Sequence, residues 1–464
     1  MDCLFTYVQA RELNTIIKQP SPTHRDYLML SLPLIVSTIT TPLLGLVDTA
    51  VVGHLFDPAY LGGTAIGTLI FNTMYWLFGF LRVSTSGFAA QARGKDDLRA
   101  GADDLLRPLA IALVIGLCFI VLQVPIFKGA LWLMRPDANV AHWAGVYFHI
   151  RIWGAPITLL NYVLIGWLMG MSHIRQTLIV QISMNVLNMA LAIWFAQGLH
   201  FGVTGVAAAT LFAEGIALIA GLWFVWRSPY MQLALVRWKG LFAWSSLLPM
   251  FRANGDLLVR TICLLAMFNI FTAQSTAFGP ELLAANSILI QLHYMMAYFF
   301  DGFANASSIY AGRAKGAGDS GLLRRSLQLT RTWTLLTALL LTLIYGVGRE
   351  LLVRLFSDNE AVISLALAYN GWLLLFPICA GFGLVFYGIF TGMTLTAPVR
   401  NSMLLALLLY VLACWILVPL YGNHGLWISF LLFAVGRSVF LVMYVPGLEK
   451  RLIGQISERA ESTS

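Results

Sequence analysis

The side chains with the most chemical potential in this sequence are charges set in apolar surroundings. Asp48, Glu214, Asp256 and Asp301 are carboxylates of this kind, and Arg82, Arg151, Arg252, Arg260 and Arg437 are the guanidiniums. Each costs about 2.5–3.5 kcal/mol at the centre of a membrane helix, so each needs a partner, a wet cavity or neutralisation. Arg252, Asp256 and Arg260 stand at i, i+4 and i+8, one helix face on which the acid can pair with either arginine. Glu214 in LFAEGIAL and Arg437 in AVGRSVF occupy nearly equivalent positions in opposite halves of the chain, which argues against a direct pair. Asp301, in FFDGFANAS, faces either an unseen cation or a cavity lined by Asn305, Ser307 and Ser308.

Asp48 is different: TPLLGLVDTAVVGHL offers no Lys or Arg within two turns, while Pro33 and Pro42 weaken the helix on one side of it. A lone carboxylate in low dielectric resists ionisation. It could take up a proton on one side of a membrane and release it on the other, with neutralisation letting the weakened helix change its bend. The structural alternative is a carboxylate satisfied by Arg151. Enzymatic chemistry is not indicated, since no GxxxxGK[ST], HExxH or GxSxG occurs and the eight histidines are scattered. The five cysteines show neither CxxC nor CxxxxC spacing, so neither a metal site nor a disulfide framework is expected. The methionines and aromatics could line a promiscuous cavity, but such residues are more often ordinary core or lipid contacts.

The elements that must hold these charges follow from composition. The chain is 59% apolar and 11% charged, against roughly 25% charged in a soluble domain. Apolar runs of spanning length fall at 27–52, 61–89, 108–133, 141–171, 176–197, 203–226, 243–270, 281–310, 328–348, 361–391, 401–420 and 424–446. The expected organisation is a cytoplasmic segment 1–26, a first lobe 27–227, a linker 228–242, a second lobe 243–447 and a cytoplasmic tail 448–464. The first 26 residues lack a signal-peptide pattern, so the first span should be its own insertion signal.

With the N-terminus inside, twenty Lys and Arg fall on the cytoplasmic side against four outside, which predicts both termini in the cytoplasm. This placement accounts for the net charge of +8 without nucleic acid. A shift of 222 residues aligns DPAYLGGTAIG…ARG with GPELLAANSIL…AKG and matches nine of 38 positions, and the same shift pairs Gly166 with Gly388 and Gly170 with Gly392. An even number of spans separates the copies, so the two halves face the same way about an axis along the membrane normal.

PLLGLVDTAVVGHL, YLGGTAIG, STSGFAAQARG, NVLNMAL and the twofold repeat resemble the multidrug and toxic compound extrusion (MATE) transporters. Within that family the first motif is most similar to the bacterial DNA-damage-inducible protein F branch. The resemblance implies an all-α membrane protein of twelve helices in two lobes around a central cavity. It implies antiport, with export of amphipathic, often cationic, compounds in exchange for protons or sodium.

The resemblance also implies roles by position. Asp48 matches the family's first-helix carboxylate, Tyr147 an aromatic on the fourth helix, Asn188 an amide on the fifth and Thr210 a hydroxyl on the sixth. Arg151, Asn185 and Asp301 complete the candidate lining. The family's fifth-helix acid is replaced by Ala192, which throws the coupling onto Asp48, and the tenth span has no acid after Glu360, which favours protons over sodium. The expectation is a monomeric exporter in the bacterial cytoplasmic membrane, driven by the proton gradient, without cofactor or metal. Its partners are the lipid bilayer and small amphipathic organic substrates. A flippase for lipid-linked precursors and a sodium-coupled exporter are the alternatives.

Overall fold

A computed structural model of the protein describes residues 21–53, 58–231, 240–448 and 450. Most of the expected N-terminal segment, the centre of the linker and nearly all of the tail lie outside the described residues. The first half comprises α1 (His24–Gly53), α2 (Pro58–Phe78), α3 (Phe80–Lys95), α4 (Leu98–Val121), α5 (Gln123–Met134), α6 (Ala138–Arg151), α7 (Ala155–Gly170), α8 (Ile174–Ile193) and α9 (Gly202–Trp226). The second comprises α10 (Trp244–Ala277), α11 (Pro280–Ala317), α12 (Ser320–Val347), α13 (Arg349–Arg354), α14 (Glu360–Gly392), α15 (Ala397–Tyr421) and α16 (Asn423–Val442).

Eleven spans among the described residues are long and apolar enough to cross a membrane. Two of them are composite: α2 with α3, broken at Gly79, and α6 with α7, broken by a 3₁₀ turn at Ile152–Gly154. With α1 they make the twelve helices of an all-α, two-lobed membrane protein. The turn before α7 has a local cause, because Pro156 supplies no backbone N–H and the helix restarts at Ala155.

The third span differs from the sequence expectation of 108–133. Its helix α4 starts at Leu98, where Asp97 accepts a hydrogen bond from Ala100 N at 2.9 Å, and ends at Val121. Residues 123–134 form the separate helix α5, because Pro125 disfavours helical backbone before it and opens a new first turn. The charged first turns of α4 precede the apolar stretch and pair within the helix, Arg107 with Asp103 at 2.9 Å.

The repeat holds at the level of contacts. A Cβ on Gly170 of α7 would strike Ser86 of α3, and one on Gly392 of α14 would strike Ser308 of α11, and both partners are related by the same 222-residue shift. The halves then meet each other through α3 and α11. A Cβ on Gly94 would run into the backbone of Arg313, and one on Gly316 into the backbone of Gln91. Arg313 is Gln91 moved by 222 residues, so each half offers the other the same glycine and the same backbone, as a twofold axis between α3 and α11 requires.

Candidate functional site

The first candidate region is a polar stripe between α1 and α8. Gln181, Asn185, Asn188 and Ala192 share one buried face of α8, with spacings of four, three and four residues. Ser37 Oγ of α1 donates to Gln181 Oε1 at 2.8 Å, and Asn185 Nδ2 donates to Thr40 Oγ1 at 2.8 Å. Thr210 Oγ1 of α9 reaches Asn188 Oδ1 at 3.5 Å and its own helix at Val206 O at 3.1 Å. Thr68 Oγ1 of α2 donates to the Tyr147 hydroxyl at 3.5 Å.

The structure thus brings Asn188 to Thr210 and Asn185 to α1, while Tyr147 turns toward α2. Sequence reasoning missed Ser37, Thr40, Thr68 and Gln181. The signal available for Gln181 was its spacing of four from Asn185. Helix α1 runs unbroken through Pro33 and Pro42. The backbone of Asp48 lies eleven residues, about three turns, beyond Ser37 on the same helix. The side chains of Asp48 and Pro42 lie outside the described residues.

The second region corrects the reading of Arg151. Its guanidinium makes a two-pronged contact with Glu214 of α9, Nη1 to Oε2 at 3.0 Å and Nη2 to Oε1 at 3.2 Å. Thr158 Oγ1 donates to Glu214 Oε2 at 2.7 Å, and Asn161 Nδ2 to the Glu214 carbonyl at 2.9 Å. Arg151 and Glu214 are both buried, and the Phe71 ring lies 5.4 Å from the guanidinium. The partner of Arg151 is therefore Glu214 inside the first lobe, the pairing that sequence alone left open. Gly154 makes it possible, since a Cβ there would sit 3.2 Å from Arg151 Nη1 and 3.4 Å from Glu214 Oε2. The forked geometry offsets the desolvation of two buried charges.

The third region corrects the seventh-span triad. Asp256 pairs with neither Arg252 nor Arg260. It accepts from Arg400 Nη1 at 2.8 Å and from Thr396 Oγ1 at 2.7 Å. The start of α15 packs beside α10 and supplies both donors without bending a side chain along its own helix. Arg252 is exposed, and Arg260 stacks 4.0 Å over the Tyr387 ring. Asp301 lies within Coulombic range of Arg82, Arg260 and Arg437. It makes no hydrogen bond to any of them among the described residues. Ser307, one expected lining residue, points elsewhere, its Oγ lying 2.7 Å from the Tyr27 hydroxyl and 2.8 Å from Thr330 Oγ1.

The fourth region lies where the halves touch, and sequence reasoning did not single it out. Ser172 and Thr394, related by the 222-residue shift, both adopt left-handed backbone, with φ of 63° and 52°, just past the ends of α7 and α14. Gln91 Nε2 of the first half donates to Thr394 Oγ1 at 3.1 Å and to Gly392 O at 2.9 Å. The symmetry mate of Gln91, Arg313, donates to Ser172 Oγ of the opposite half. Lys315 Nζ adds a bond of 3.1 Å to Thr394 Oγ1. His173, beside this contact in the α7–α8 connection, is held below the usual imidazole range by burial and by the Arg93 charge.

Comparison with known proteins gives a consistent assignment. The MatE family model matches residues 33–194 and again 257–416, one copy in each half. DNA damage-inducible protein F of Escherichia coli is 34% identical over 417 residues, covering 89% of this chain and 90% of the relative. Multidrug and toxin extrusion protein 1 of Xenopus tropicalis is 24% identical over 476 residues, covering 99% of this chain and 78% of the relative. Among solved structures, an outward-facing conformation of a multidrug resistance MATE family transporter of the MOP superfamily superposes with a TM-score of 0.83 at 18% identity. It covers 94% of this chain and 97% of that one.

Proposed function

We propose a proton-driven exporter, on the premise that the chain belongs to the MatE family of multidrug efflux transporters and is a multi-pass membrane protein, not an enzyme. In this reading it exchanges protons for amphipathic, cationic organic compounds across the bacterial cytoplasmic membrane. Both termini lie in the cytoplasm, and the chain works as a monomer. The observation that carries the reading is the contact of the two halves through pseudo-symmetric groups at the ends of α3, α7, α11 and α14. Contacts made by two like halves about one axis can be exchanged for an alternative set by rocking, which is the basis of alternating access. On the orientation read from Lys and Arg, this is the cytoplasmic end, so the structure corresponds to a state closed to the cytoplasm.

Asp48 is the proposed coupling group. The α1–α8 stripe around its helix is built of hydroxyls and amides, which can donate or accept and so can follow a carboxylate through both protonation states. Pro33 and Pro42 lack the N–H that would stiffen α1, so proton uptake at Asp48 can be answered by bending. One proton crossing 100 mV supplies about 2.3 kcal/mol, enough to bias a two-state carrier about fifty-fold. Sodium is the less favoured ion because α14 has no acid after Glu360. A second reading, a flippase of lipid-linked precursors, is favoured only by the excess of arginine around Asp301.

The test is uptake of a fluorescent cation into proteoliposomes under an imposed pH gradient. Wild type should accumulate the dye, and Asp48→Asn should equilibrate it without accumulation. Accumulation by the variant removes Asp48 from the mechanism, and accumulation driven by a sodium gradient alone overturns the ion assignment.

A further inference from the structure

The proposed coupling chemistry occupies the first half and leaves Arg260, Asp301 and Arg437 of the second half unused. Arg260 and Arg437 line one crevice between α10, α14, α15 and α16, with Gly383, Tyr387, Ser402 and Met403 completing its wall. Arg437 is buried and, among the described residues, has neither a hydrogen bond nor a carboxylate within salt-bridge distance. Among the described residues Arg260 makes no hydrogen bond and stacks on the face of Tyr387. Asp301 lies within Coulombic range of both arginines and also of Arg82 on α3, so three guanidiniums share one carboxylate.

Such an arrangement is the reverse of the Arg151–Glu214 pair, where every charge meets its opposite at hydrogen-bond distance. Uncompensated charge inside a membrane protein is retained at high cost, and a site that keeps it without pairing it is prepared for a charge from outside. The missing sign is negative. The crevice has about 10 Å³ of free space, room for one water or the tip of an acidic group. Met403 on its wall is the kind of side chain that repacks to admit more.

We propose that Arg260 and Arg437 form a binding site for a single anionic group, with Asp301, whose charge is shared with Arg82, opposing it. The anion is either a free inorganic ion or the acidic end of an amphipathic molecule whose other end lies against the first half. The site is a property of the second lobe. It is tested by binding rather than transport, so its failure leaves the proton-driven reading untouched.

Full-length protein in lipid nanodiscs, in gluconate buffer, is titrated with chloride while its melting temperature is followed. In a parallel arm, fluorescence anisotropy compares rhodamine B, a zwitterion, with its ethyl ester, which lacks the carboxylate. A saturable chloride response assigns the site to a free anion, and tighter binding of rhodamine B than of the ester assigns it to the acid of an organic ligand. Either preference should weaken at least tenfold in Arg437→Gln and strengthen several-fold in Asp301→Asn, which removes the opposing charge. Wild type that distinguishes neither chloride from gluconate nor the dye from its ester overturns the proposal, whether or not the variants fold. So does a preference that Arg437→Gln and Asp301→Asn both leave unchanged.

Discussion

Gly316→Ala is the sharpest test of the lobe contact. A Cβ at this position lands on the backbone oxygen of Gln91, which cannot turn away as a side-chain tip would. Overpacking of this kind costs about 1–3 kcal/mol. Because the clash exists only while the halves touch at α3 and α11, the cost falls on one conformation, and a differential of that size shifts a two-state equilibrium about 5- to 150-fold. Spin labels at Arg175→Cys and Ala397→Cys, in a background without native cysteines, would report it. Both positions are exposed, both lie in the first turn of their helices, and the 222-residue shift relates them. Gly316→Ala should move most molecules from the short distance distribution to a longer one. Gly215→Ala, where a Cβ meets nothing within 4 Å, should leave the distribution in place. An unchanged distribution in a folded Gly316→Ala protein would refute the view that this contact belongs to one state of a two-state carrier.

Three further outcomes are expected. Glu214→Gln leaves the buried Arg151 guanidinium uncompensated and should cost about 3–5 kcal/mol of stability in thermal unfolding. Arg151→Met combined with Glu214→Leu should recover most of that loss, and a double variant as unstable as the single would contradict the account. Asp256→Asn should cost about 1–2 kcal/mol, because its partner Arg400 is 39% exposed and screened while Asp256 itself is 13% exposed; a loss several times larger in the same assay would argue that the pair behaves as a fully buried one. Asn185→Leu removes the bond to Thr40, whose hydroxyl keeps Ser37 O as acceptor at 2.7 Å. A loss of about 1 kcal/mol is expected, together with slower pH-driven dye accumulation in proteoliposomes, and an unaltered rate would separate the α1–α8 stripe from coupling.

Composition, the Lys and Arg asymmetry and the 222-residue shift were enough to fix the fold class. The reason is physical: a bilayer core is crossed by apolar helices of at least about twenty residues, and a duplicated half must reuse its close contacts. Gly166, Gly170, Gly388 and Gly392 were legible as repeat positions before their neighbours were known, because a helix crossing at backbone distance admits no larger residue. The buried amides of α8 were half-legible through Asn185 and Asn188. Their hydroxyl partners on α1 and α2 were not, since a single Ser or Thr in an apolar run bonds its own helix as readily as another.

The charges show the limit most clearly. That Arg151, Glu214, Asp256 and Asp301 need compensation follows from the sequence, because burying a charge is costly wherever it occurs. Which opposite charge arrives depends on helix rotation and on breaks such as Ile152–Gly154. Spacing along one helix offered Asp256 two arginines, yet it bonds a third from α15, and Glu214 bonds an arginine 63 residues away. Local periodicity therefore determined where the charged groups must be solved. Only the packing of whole helices, which sets distances between residues far apart in the chain, decided which charges were neutralised, as in Arg151–Glu214 and Asp256–Arg400, and which, Arg260 and Arg437, were left facing a crevice in the second lobe.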